Sequence, residues 1–271
     1  MNVARATHSW LTLREAADAR ARSTELLATL CGLLPENRPL KIHDLGCGTG
    51  STRRWLGPQL SGLQEWTEYD RDCELLHRGV MDSTKSIDGI DMSVHTRCSD
   101  FAELTELDLH GADLITASAL LDMFSASELL NFVSLCVSAG CPCLITLSVV
   151  GHVEFSPPDS LDARIEKAFN DHQRRPMPSG RLLGPEAVSA AAELFEQAGM
   201  SVLLLPSVWQ LGPTDGSLLE EWISGWLGAA LEQDATLRNV STPYMTKRNL
   251  QLKDGLLNVE VHHQDLLAWH L

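Results

Sequence analysis

Cations are scarce in this sequence of 271 residues: 21 Lys plus Arg face 36 Asp plus Glu, a formal net charge of -15 with His neutral. Nucleic acid needs cations to displace the counterions on its phosphates, so a chain this acidic excludes that partner unless it segregates a basic face. Anionic membrane surfaces are disfavoured for the same reason. There is no Cys-x-x-Cys pair and no His or Cys cluster at zinc-ligand spacing, so no metal is expected. The seven cysteines are an odd number, and Cys141 and Cys143 flank Pro142 inside an apolar run; reduced thiols in a cytoplasmic chain are expected. Long apolar runs are also missing. The longest, residues 141–150, falls well short of the roughly 20 residues that span a bilayer, so no membrane association is expected. The first residues carry Arg5 and His8 with no apolar stretch, so no secretory signal is read. Repeats and low-complexity segments are absent. What is present, 44% hydrophobic and 21% charged residues, is the composition of a soluble globular chain with a sizeable core, and it excludes disorder as the main state.

Helical and strand patterns alternate. Residues 11–34 read as helix, with Leu11, Leu13, Ala17, Leu26, Leu27 and Leu30 on apolar faces before Pro35. Strand 39–45 ends in glycines, followed by helix 52–60, strand 63–69, helix 73–80, and strands 92–98 and 112–118. Ser125 with Glu128 forms a capping box for a helix that stops at Gly140. Strand 141–150, a helix between Pro185 and Gly199, strand 201–209 and a final strand 256–261 complete the rhythm. Strands separated by helices predict a parallel sheet covered on both faces, within one domain over 1–271.

Two segments break the alternation. Residues 151–181 hold a helix over 160–175, with Leu161, Ile165 and Phe169 at four-residue spacing. Residues 212–255 open with a second capping box, Ser217 to Glu220, and place Leu219, Trp222, Ile223, Trp226 and Leu227 on one broad face. Insertions at strand ends are where open α/β sheets build substrate pockets.

The most informative stretch is Asp44-Leu45-Gly46-Cys47-Gly48-Thr49-Gly50, where a strand runs into a glycine turn and then a helix. Glycines there let the backbone turn tightly and approach a ligand. The third glycine comes one residue earlier than in the dinucleotide fingerprint, and an acid precedes the first by two. Downstream, Asp70 ends the second strand, where a carboxylate accepts hydrogen bonds from ribose hydroxyls. Asp100 and Phe101 follow the third strand, a carboxylate beside a flat ring, which suits an adenine. Ser118 and Asp122 follow the fourth.

These four motifs, in this order, resemble those of class I S-adenosylmethionine-dependent methyltransferases over about residues 39–210 plus the last strand, most closely uncharacterised actinobacterial members that share Ala119-Leu120-Leu121-Asp122. The resemblance implies a Rossmann-like methyltransferase fold: a seven-stranded, mostly parallel sheet with helices on both faces, an antiparallel last strand and helical lid insertions. It implies S-adenosyl-L-methionine as cofactor and S-adenosyl-L-homocysteine as product. Asp44, Gly46, Cys47, Gly48 and Gly50 fall on the first motif, Asp70 on the ribose acid, Asp100 and Phe101 on the adenine motif, and Ser118 on the strand beside the methyl. Arg71 stands where many members carry an apolar residue. The N-terminal helical lid, residues 1–37, would bring Arg14 or Arg22 to a cofactor carboxylate, and segments 152–181 and 212–255 would form the substrate cap.

For the acceptor, Asp122 is the first candidate to orient or deprotonate a small molecule and His152 the second; Glu154, His172, Arg175 and Trp222 are candidate substrate contacts. Each has a plainer structural role. Asp122 sits ahead of a helix, His172 and Arg175 lie near a helix end where cations are favoured, and Trp222 and Trp226 lie one helical turn apart as core residues do. His262 and His263 occupy the last strand on alternate faces, so at most one should point toward a site. The acceptor and the oligomeric state are not written in the sequence. Two rival readings are an NAD-dependent oxidoreductase and a non-catalytic cofactor-binding regulatory protein. The acid excess gains one local meaning: Asp44, Asp70, Asp100 and Asp122 all fall at ends of successive strands, where they would ring a cationic sulfonium.

Overall fold

A computed structural model describes residues 6–79 and 84–270. Two helices, α1 (His8–Ala21) and α2 (Thr24–Cys31), precede the first strand, β1 (Leu40–Leu45). Helix α3 (Ser51–Leu56), β2 (Gln64–Asp70), α4 (Cys73–Gly79) and β3 (Ser93–Cys98) complete the first half. The second half runs through β4 (Leu114–Ser118), α5 (Ala126–Ala139), β5 (Cys143–Ser156) and α6 (Asp162–Gln173) to a short hairpin of β6 (Pro176–Met177) and β7 (Gly180–Arg181). It ends with α7 (Ala187–Gln197), β8 (Ser201–Pro206), β9 (Trp209–Leu211), α8 (Gly216–Gln233), α9 (Arg238–Lys253) and β10 (Asn258–Trp269).

The strand order is β3-β2-β1-β4-β5-β10-β8, with β9 also paired to β10. Strands β1 to β5 pair in parallel, whereas β10 runs antiparallel to β5, β8 and β9. The chain steps outward from β1 to β3 and then returns to lay β4 on the other side of β1. The C-terminal ends of β1 and β4 therefore diverge at a switch point, where open α/β sheets leave a ligand crevice. The sequence expectation of seven strands matches this path. The predicted strand 201–209 is broken in two, because Pro206 brings no N–H and buried Ser207 pairs its own N–H with His263 O at 2.9 Å.

Alternation of apolar residues along the central strands gives each sheet face its own core. Leu26, Leu30, Ile42, Trp66, Leu144 and Leu267 pack on one face; Leu45, Ile115, Phe132, Ile145, Phe195 and Leu266 pack on the other. A third cluster lies beyond the sheet's C-terminal edge. There β5 and β10 continue as a ladder from Ala268↔Cys143 to Asn258↔Ser156, and Phe155, Ile165, Trp209, Leu219, Trp226 and Tyr244 pack on the extension. The segments predicted over 152–181 and 212–255 thus share a core of their own, and the predicted strands 141–150 and 256–261 are both longer than expected.

Several expectations are corrected. Residues 11–34 do not form one helix: Arg22 is extended (φ −57°, ψ 138°), Ser23 Oγ accepts from Leu26 N to start α2, and the Ser23 N–H is drawn to Asp265 Oδ2 at 2.8 Å. The capping box at Ser125 and Glu128 forms, but the one at Ser217 does not. A 3-10 turn at Pro213–Asp215 starts α8 at Gly216, so Ser217 already lies inside the helix. The cysteines are not all reduced. Cys73 at the start of α4 and Cys98 at the end of β3 are brought to a Cα separation of 5.2 Å and form a disulfide. Arg5 and Val80, the latter the predicted end of a helix, lie outside the described residues. No helix among the described residues is long and apolar enough to cross a membrane.

Candidate active site

The glycine turn follows β1 as predicted. Gly46, Gly48 and Gly50 all have positive φ (69°, 58° and 77°), and a Cβ at Gly50 would stand 2.6 Å from Glu68 Oε1, so only glycine fits there. Asp70, at the end of β2, accepts from Gly48 N and from Asp72 N, each at 2.8 Å, which fixes its carboxylate beside the turn. Asp44 lies beneath the turn. It accepts from Thr116 Oγ1 at 2.8 Å, and burial followed by the nearby Glu68 carboxylate pushes its carboxyl up to about 7. Cys47 is buried among these acids, and burial raises its thiol well above the usual range.

Helix α1 lies over this turn. Leu11 and Leu120 are the side chains that a Cβ at Gly48 or Gly46 would meet, and Glu15 holds Arg54 of α3 through two contacts of 2.6 and 2.7 Å. The break after α1 aims Arg22 inward. Its Nε donates to Thr146 Oγ1 at 3.4 Å and its Nη2 to Ser51 Oγ and Ser118 Oγ at 3.4 and 3.2 Å. Trp55 lies 5.0 Å from its guanidinium carbon. These hydrogen-bond partners are hydroxyls rather than carboxylates, burial pushes the guanidinium below its usual range, and Nη1 has no hydrogen-bond partner among the described residues.

Asp100 is half-buried and accepts from Ala102 N at 3.1 Å, while Phe101 packs on Phe124 with centroids 4.4 Å apart. The Arg71 side chain is exposed.

Past the C-terminal end of β4 and along the middle of β5 and β10 is a cavity of ≈ 380 Å³. Trp10, Phe169, Trp209, Trp222 and Trp226 form its aromatic wall, and Trp222 and Trp226 are stacked with centroids 5.6 Å apart and planes 17° apart. Its polar groups include Arg14, Asp122, Asn170, Gln173 and three histidines, His152, His262 and His263. The wall also holds two strained non-glycine residues with positive φ, Ala119 (51°) just past β4 and Leu147 (57°) inside β5, where its register with β10 shifts. Asp265 holds the second of them by accepting from Leu147 N at 2.7 Å.

Asp122 is half-buried in the wall of this cavity, and burial pushes its carboxyl up to about 6 while Arg14, Arg175 and Gln173 pull it down. Gln173 Nε2 donates to Asp122 Oδ2 at 3.4 Å. Arg14 is paired with Asp18 at 2.9 Å, and its guanidinium carbon lies 5.1 Å from the centre of the Trp209 ring. His263 is buried, which pushes its imidazole down to about 3 and keeps it neutral.

Of the predicted substrate contacts, Trp222 lines the cavity; His152, the second catalytic candidate, also lines it and is paired with Glu154 at 3.0 Å. The other three, Glu154, His172 and Arg175, are not among its lining residues: His172 pairs with Glu232 at 3.0 Å, and Arg175 Nη1 donates to His172 O at 3.1 Å. His262 and His263 both line the cavity, contrary to strand alternation, because a register shift between Val261 and His263 breaks the period of two. Trp10, Trp209, Asn170 and Gln173 were not singled out from the sequence. Their one signal was residue type, since the chain joins them only in the folded state.

No family model and no curated protein matches the chain. Solved structures do. The cyclopropane synthase MmaA2 from Mycobacterium tuberculosis superposes with a TM-score of 0.52 at 14% identity, covering 97% of this chain and 94% of that one. The YcgJ protein from Bacillus subtilis gives 0.49 at 11% identity over 92% and 100% of the two chains, and the apo form of mycolic acid cyclopropane synthase CmaA1 gives 0.47 at 13% over 97% and 100%. The first likeness carries the fold: the chain has the Rossmann-like methyltransferase architecture, a mostly parallel sheet with its last strand antiparallel.

Proposed function

We propose that this protein is an S-adenosylmethionine-dependent methyltransferase whose acceptor is a small molecule bound in the cavity beneath α1, α6 and α8. The observation that carries this reading is the placement of the Asp44–Gly50 motif at the β1/β4 switch point with the half-satisfied Arg22 beside it. The residues present fit the cofactor. Arg22 Nη1 offers a buried cationic donor to a carboxylate. Asp70, already oriented by Gly48 N, offers its carboxylate to the ribose hydroxyls. Asp100 and Phe101 offer an acceptor and a ring face to an adenine. Asp44 acts from below, through Thr116 and the turn, since its carboxylate is enclosed. Leu11 and Leu120 are flexible side chains that must turn aside for a ligand to lie on the glycines.

The bound cofactor supplies a methyl group already activated on a sulfonium sulfur. The chain's own task is alignment and, for an acceptor that carries a proton, its removal. Asp122 is placed for the second, with Gln173 orienting it, and a carboxyl titrating at about 6 is ionised at neutral pH while remaining a stronger base than an exposed one. The tryptophan wall excludes water and favours an acceptor with a flat apolar ring, and the polar edge at Asp122, Asn170 and Gln173 takes its heteroatom.

The test is transfer of labelled methyl from S-adenosylmethionine into a fractionated metabolite extract. Label in the low-mass aromatic fraction, lost in D122N, supports the reading. Label confined to protein or nucleic acid contradicts it.

A further inference from the structure

At the mouth of the cavity, two histidines and a glutamate from two strands converge. Ring nitrogens of His152 (β5) and His262 (β10) and a carboxylate oxygen of Glu154 (β5) all lie within 4.8 Å of one another. Glu154 Oε1 stands 3.0 Å from His152 Nε2 and 3.6 Å from His262 Nε2. Metal–ligand bonds of about 2.0–2.2 Å at tetrahedral angles put ligand atoms about 3.4 Å apart, so these separations bracket what one ion requires.

The surroundings match as well. A metal-bound imidazole usually gives its second ring nitrogen to a carboxylate, and His152 Nδ1 lies 3.4 Å from Glu166 Oε2. Glu166 is itself anchored, accepting from Val153 N at 2.7 Å. His262 Nε2 is buried without a hydrogen-bond partner among the described residues, and Glu260 Oε2 lies 3.9 Å from the same nitrogen.

We propose that His152, Glu154 and His262 bind a first-row divalent cation, with Zn²⁺ as its simplest representative, and that Glu166 positions His152. Two imidazoles and one carboxylate suit borderline cations over Mg²⁺ or Ca²⁺, which favour all-oxygen sets. Three protein ligands leave a coordination position open. Both imidazoles line the cavity, so that position faces its contents and suits an anionic oxygen, a carboxylate or a phenolate, of the molecule held there. The site does not depend on the methyl-transfer reading. Sequence spacing hid it because its ligands come from two strands far apart in the chain, and it reverses the expectation that no metal binds.

The test is calorimetric titration of the chelator-stripped, untagged full-length protein with ZnCl₂ at neutral pH. One saturable equivalent is expected, absent in H152A/H262A and weakened about 10–100-fold in E166Q. His152 and Glu154 are more than half exposed, so H152A and E154Q leave the core intact, and unchanged circular dichroism verifies this. E154Q should also abolish saturable uptake. No saturable uptake by the wild-type protein, or uptake that survives unchanged in H152A/H262A, overturns the proposal.

Discussion

Arg22 donates from Nη2 to Ser118 Oγ at 3.2 Å, a bond that ties the break between α1 and α2 to the C-terminal end of β4. A cation is thereby held, buried, where the cofactor's carboxylate is expected. Burial without a bonded carboxylate is costly to the fold, and replacing such a group with an apolar one of similar volume is often neutral or stabilising. R22M should therefore keep or raise the midpoint of thermal unfolding while weakening binding of S-adenosylhomocysteine at least tenfold. A loss of stability with unchanged binding would make Arg22 a purely structural residue.

Asp122 should govern the pH profile. Its carboxyl titrates at about 6 in the folded chain, against about 3.9 for an ordinary aspartate. Between these values the folded state holds a proton that the unfolded state has lost. The group's contribution to stability is therefore full below about pH 4 and is lost as pH rises through 6. The reaction has the opposite dependence, because the base works ionised. Initial rates of methyl transfer should rise with a midpoint near pH 6, and D122N should lose that limb and run about 10²–10⁴-fold slower. An ascending limb that persists in D122N would assign the base elsewhere.

The tryptophan pair should separate stability from binding. Trp226 is 2% exposed and sits in the cap's own core, so W226A should cost about 3–5 kcal/mol in urea unfolding. Trp222 is half-buried at the cavity wall, and W222A should cost less stability while raising KM for the acceptor more than it lowers kcat.

The Cys73–Cys98 disulfide, with a sequence separation of 25, ties α4 to β3 in the half that carries Asp70 and Asp100. Loop-closure reasoning gives it about 3.5 kcal/mol. C98S should unfold at correspondingly lower denaturant, and dithiothreitol should bring the wild-type protein to the same midpoint. Equal midpoints for oxidised wild type and C98S would remove this contribution.

What could be read from the sequence was local or periodic. The motif over Asp44–Gly50, the acid at Asp70 and the capping box at Ser125 each depend on neighbours within a few residues, and all three stand where spacing put them. What could not be read was decided across the chain. The helix break at Arg22 depends on Ser23 N reaching Asp265, 242 residues away, and Trp209 meets Asp18 through a 3.0 Å bond from α1 to β9. The two adjacent histidines of β10 share the cavity because of a bulge that no period of two predicts. Strand β5 read short because its outer end, residues 151–156, packs on the cap, whereas β10 read short because its inner residues 265–268 are buried in an unbroken run that does not alternate.

The central claim is that the β1/β4 crevice holds S-adenosylmethionine. Titration calorimetry with S-adenosylhomocysteine, run in parallel with NADH, tests it most directly. Saturable binding of S-adenosylhomocysteine near one equivalent, weakened in R22M, with no heat from NADH, is the predicted result; no binding at high micromolar ligand, or saturable binding of NADH instead, would contradict it.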